Sequence, residues 1–147
     1  MKNAEMIERG IYLAQKGQFK EAIEVFEEDI CFTQHPVAMS YYALCVAQVE
    51  ENYNRAVSLC LMAAQREFYN PDIYLNFGRI FLLKGQKALA VRLFNKGLKF
   101  DNMHNGLVRV VNKLGIRRKP FIPFLPRHNF INKFLGKLGH RIGHKTV

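Results

Sequence analysis

At 147 residues, with 49% hydrophobic side chains, the chain is long enough for one domain with a sizeable core and too apolar for a disordered polymer. No stretch is long and apolar enough for a membrane span, and the start, with Glu5 and Glu8, lacks the apolar run of a signal peptide, so the expected compartment is the cytoplasm. The net charge of +10 is lopsided: residues 1–104 carry 12 Lys/Arg and 12 Asp/Glu, whereas residues 105–147 carry 10 Lys/Arg and no acid.

Apolar residues recur at helical spacing throughout the first hundred residues, which predicts helices near 3–16, 20–33, 37–50, 54–67, 71–84 and 88–100. Pro36 and the pair Asn70-Pro71 mark helix starts, because Asn caps free N–H groups and Pro fits the first turn. The register is clearest in residues 71–104, where two helical patterns meet at Gly85 and small residues at Gly78, Ala90 and Gly97 permit close approach. Stepping back by 34 residues finds a counterpart for each marker. Ala90 maps to Ala56 and Ala22, Phe94 to Cys60 and Phe26, Gly78 to Leu44 and Gly10, Phe81 to Ala47 and Leu13, and Gly85 to Glu51 and Gly17. Three units follow, at 3–36, 37–70 and 71–104, with the three alanines expected at equivalent tight contacts.

Residues 105–114 read as a seventh helix, with Leu107, Val110, Val111 and Leu114 on one face, placed to cap the last pair before Gly115. Beyond it, residues 117–147 form a basic tail. Pro120, Pro123 and Pro126 favour an extended strand that carries Phe121 and Phe124 behind Arg117, Arg118 and Lys119, and the segment after Asn129 is a basic amphipathic stretch with Phe130 and Phe134 on its apolar face. The large side chains of Phe121, Ile122, Phe124 and Leu125 are expected to find an apolar surface.

The central unit, through Tyr74, Phe77, Gly78, Phe81, Gly85, Ala90, Phe94 and Asp101, resembles the tetratricopeptide repeat. That resemblance implies an all-α, right-handed superhelical solenoid of three helix-turn-helix repeats over residues 1–116, with a capping helix and an appended tail. It implies a non-enzymatic adaptor that binds a peptide or helix of another protein in a groove lined by the first helix of each unit. Carried over to this chain, the groove positions are Ile7, Ile11 and Ala14, then Tyr41, Cys45 and Gln48, then Asp72, Leu75, Arg79 and Leu82. Some of these side chains equally suit ordinary packing between helices. The middle unit departs from the family pattern at Leu44, Glu51 and Cys60, which predicts a splayed helix pair there. A clamp for a chaperone's terminal carboxylate is not expected, because Ile7, Ile11, Tyr42, Asp72 and Asn76 stand at its positions.

The tail has three readings: docking in the groove of its own solenoid, binding a partner protein or an anionic membrane, and, less well supported by its apolar anchors, binding nucleic acid. No cofactor, metal or catalytic site is expected. Gly78 to Gly85 lacks the Lys-Ser/Thr ending of a phosphate loop, His128, His140 and His144 lack a carboxylate companion, and Cys31, Cys45 and Cys60 sit in apolar helical pattern as free thiols.

Overall fold

The structure, a computed structural model, describes residues 2–28 and 30–115. The tail positions Arg117, Arg118, Lys119, Phe121, Phe124, Phe130 and Phe134 lie outside them, as do the three tail histidines. Among the described residues the protein is all-helical, with α1 (Lys2–Gln15), α2 (Phe19–Glu28), a 3-10 turn (Ile30–Gln34), α3 (Pro36–Val49), α4 (Tyr53–Arg66), α5 (Pro71–Leu83), α6 (Lys87–Phe100) and α7 (Asn105–Lys113). These residues fall in a unit spanning Met1–Gly115.

Local chemistry sets the helix starts. The side chain of Asn52 accepts from the Arg55 N–H at 3.2 Å, and that of Asn70 accepts from the Asp72 N–H at 3.1 Å with Pro71 in the first turn. The Nδ1 of His104 accepts from the Leu107 N–H at 3.2 Å and caps α7 in the same way. The turn within each pair is also repeated: Gly17, Glu51 and Gly85, 34 residues apart, have φ of +80°, +53° and +78°. After Gly17 and Gly85 the next N–H reaches back to close the helix, Gln18 to the Leu13 carbonyl at 2.9 Å and Gln86 to the Phe81 carbonyl at 2.8 Å. Glu51 holds this left-handed conformation at a steric cost that glycine avoids. Glu51→Gly is expected to stabilise the protein by about 1 kcal/mol in urea denaturation, since relief of that strain outweighs the added freedom of the unfolded chain.

One predicted helix is shorter than expected. The 20–33 segment ends as an α-helix at Glu28 and closes with the 3-10 turn, where Phe32 lies against Tyr42 at 4.6 Å and Phe26 at 5.9 Å between ring centroids. Ile30 to Thr33 are poor helix formers, so docking of the Phe32 ring outweighs continuation of the helix.

The helices pack in two rows. In one row α1 neighbours α3, α3 neighbours α5 and α5 neighbours α7; in the other, α2, α4 and α6 each sit against two consecutive members of the first. Ala22, Ala56 and Ala90 are completely buried, in keeping with their equivalent register. The centre of burial is α3 rather than the 71–104 pair from which the register is read: Ala38 through Ala47 are all buried, because α3 meets α1, α2, α4 and α5 and has little face left for water.

The middle pair is not splayed. In the outer pairs a glycine faces a phenylalanine, and an added Cβ on Gly10 or Gly78 would come within 2.6 Å of the Phe26 ring or 2.3 Å of the Phe94 ring. At the same register α3 and α4 carry Leu44 and Cys60, both buried, so the large residue has moved to the first helix and the small one to the second. The volume is conserved across the pair, and α3 and α4 stay closely packed.

Candidate functional site

A chain of polar contacts runs across the row α1, α3, α5 and α7. Gln15 Nε2 donates to the Tyr41 hydroxyl at 3.0 Å, and that hydroxyl donates to Asp72 Oδ1 at 3.1 Å. The same carboxylate oxygen lies 3.3 Å from His104 Nε2. Because His104 Nδ1 already accepts from the backbone of α7, its Nε2 carries the proton and donates to Asp72. One carboxylate thus ties three helices together, and the glutamine adds the fourth. Burial is the main cause that pushes the Tyr41 hydroxyl up to about 12, with Asp72 contributing, so the phenol stays a neutral donor over the physiological range.

Beneath this chain, Ser40 Oγ donates to the Val37 carbonyl at 2.7 Å and accepts from Asn76 Nδ2 at 3.0 Å, a buried link between α3 and α5. Asn76 Oδ1 is buried without a hydrogen-bond partner. One turn further along α5, Arg79 is half-buried, and its guanidinium is held below its usual value by burial first and by the like charge of Arg109, with Tyr41 and Asp72 acting in the opposite sense.

The sequence-derived groove residues divide by exposure. Ile7, Ala14, Tyr41, Cys45 and Leu75 are buried, Ile11, Asp72, Arg79 and Leu82 are half-buried, and Gln48 is exposed. Of the ten, Ile11, Gln48, Asp72, Arg79 and Leu82 keep exposed surface, while the buried five pack between helices. Of the ten, the structure joins Tyr41 to Asp72 directly. Sequence reasoning missed Gln15, Ser40, His104 and Arg109. Of these, only His104 left a local trace, as the residue preceding a helix start.

Burial drives the Cys45 thiol up to about 12 and the Cys60 thiol higher still, so neither is a nucleophile or a ready metal ligand near neutral pH. Among the described residues no cluster of three His, Cys, Asp or Glu side chains forms a metal-binding group, and no helix is long and apolar enough to cross a membrane. Neither a protein-family model nor a curated protein matches the chain.

Proposed function

We propose that the chain is a non-enzymatic, cytoplasmic protein-binding scaffold: a right-handed solenoid of three tetratricopeptide-like units with α7 as its cap, which receives a peptide or helix of another protein along the row α1, α3, α5 and α7. The observation that carries this reading is that row, in which four helices stand side by side and present a mixed apolar and polar face. The recurrence of the left-handed turn at residues 17, 51 and 85 supports the repeat, since a 34-residue period in backbone conformation is what stacked helix pairs require. The partner's ordering cost is met by apolar contacts at Ile11 and Leu82 and by hydrogen bonds to Gln48.

A second reading rests on the ten Lys/Arg and no acid in residues 105–147, a composition suited to an anionic membrane or nucleic acid. Two full-length variants separate them. Ile11→Glu with Leu82→Glu places charge on the proposed binding face, and serines at Arg117, Arg118 and Lys119 remove a charge cluster from the tail. In affinity capture with quantitative mass spectrometry, partners held by the row disappear with the first variant and persist with the second. The opposite pattern would overturn the scaffold reading in favour of the tail.

A further inference from the structure

The row changes character along its length. Positions related by the 34-residue register read Ile11, Cys45, Arg79 and Lys113 in one line and Ile7, Tyr41, Leu75 and Arg109 in the next. Cations are absent from both lines on α1 and α3 and appear on α5 and α7. Two contacts place α7 parallel to α5 at close range: His104 reaches Asp72, and an added Cβ on Gly106 would meet Leu75 Cδ2 at 2.6 Å. Arg109, three residues after Gly106, acts on Arg79 as a like charge, and Lys113 lies one turn further along the same face of α7.

Among the described residues Arg79, Arg109 and Lys113 form no ion pair, and Asp72, whose charge acts on Arg79, is already engaged by Tyr41 and His104. The half-buried Arg79 feels the like charge of the exposed Arg109, so this end of the row carries a local excess of positive charge. The α1 end has the opposite character. Glu8 lies two turns before Gln15 on one face of α1 and is exposed.

Resting on the scaffold reading above, we propose that the Arg79, Arg109 and Lys113 end of the row selects an acidic segment of a partner peptide, whose apolar portion lies over Ile11 and Leu82. A peptide fits better than a polyanion. A nucleic acid or an anionic bilayer presents negative charge along its whole length and would meet Glu8 and Asp72, whereas a peptide can confine its acids to one end. The protein's own tail, which has no acidic side chain, is a poor match for the cationic end.

The test is selection of short random peptides on the immobilised full-length protein. The expected result is enrichment of Asp and Glu over Lys and Arg, with the best peptide, resynthesised with a fluorescent label, losing about tenfold in affinity on Arg109→Glu with Lys113→Glu. Both residues are exposed, so this variant is expected to fold; Arg79→Gln is the second, with circular dichroism as the folding control. An acidic bias that survives both variants would overturn the proposal and assign the bias to the tail. Peptides selected without acidic bias, yet lost on Ile11→Glu with Leu82→Glu, would overturn it and leave the scaffold reading standing. Selection insensitive to every row variant would overturn both. Binding of phosphatidylserine vesicles or an oligonucleotide that is abolished by the same charge reversals, without acidic bias among peptides, would replace it with a polyanion site.

Discussion

Replacing Gly78 by leucine is expected to destabilise the protein by about 3 kcal/mol or more, and replacing Phe94 by cysteine by a similar amount, while the double variant recovers much of the loss. Each single change breaks one tight pairing. A Cβ on Gly78 would stand 2.3 Å from Phe94 Cε1 and 2.8 Å from Cζ, and the ring is fully buried. Removing the ring instead leaves a cavity between α5 and α6. The double variant reproduces the arrangement that α3 and α4 already use, where Leu44 and Cys60 occupy the same register. A coupling energy of about 1–3 kcal/mol in a double-mutant cycle measured by urea denaturation is the expected result. Strict additivity would show that the two middle residues are not volume partners and would remove the reason for reading the third and second pairs as equivalent.

Alkaline pH should unfold the protein steeply. Five fully or nearly fully buried groups, Tyr41, Tyr42, Tyr74, Cys45 and Cys60, are all shifted upward chiefly by burial, the Tyr41 and Tyr42 hydroxyls to about 12 from an ordinary 10.0 and the Cys45 thiol to about 12 from 9.0. The unfolded chain releases these protons near pH 9 to 10, whereas the native state keeps them. Their contribution is therefore fully present below pH 9 and is lost as pH rises toward 12 and beyond. With up to five protons differing between the states, stability falls by up to about 7 kcal/mol per pH unit near pH 11, enough to consume the whole stability of an ordinary domain. Denaturation midpoints measured under reducing conditions from pH 7 to 11 check this. Tyr74→Phe removes one of the five protons, along with the 2.6 Å bond from Tyr74 to the Phe68 carbonyl, and should flatten the alkaline slope by about a fifth at some cost in stability at pH 7. A midpoint constant through pH 11 would contradict the burial of these groups.

The sequence by itself determined the helices, their order and their period. The predicted 37–50 and 54–67 are observed as Pro36–Val49 and Tyr53–Arg66, because the signals are local: Asn52 and Asn70 cap the residues that immediately follow, and the turn at Gly17 or Gly85 needs only a residue tolerant of positive φ. Glu51 shows how far the period reaches, since it takes the left-handed conformation without being glycine. The candidate face was only partly legible. The resemblance to the tetratricopeptide repeat implies that Tyr41, Asp72 and Arg79 line the row but does not distinguish a side chain that seals a helix interface from one that faces water. That distinction depends on crossing distance and on the size of the residue opposite. Only the tertiary structure decided that Ala14, Cys45 and Leu75 are packing residues, that Leu44 and Cys60 exchange volumes rather than open a gap, and that one carboxylate on α5 joins the Tyr41 hydroxyl of α3, itself bonded by the Gln15 amide of α1, to the imidazole that caps α7. Those partners are 26 to 32 residues apart in the chain, and a hydrogen bond over that separation exists only once the backbone between them has been folded into helices of fixed length and spacing.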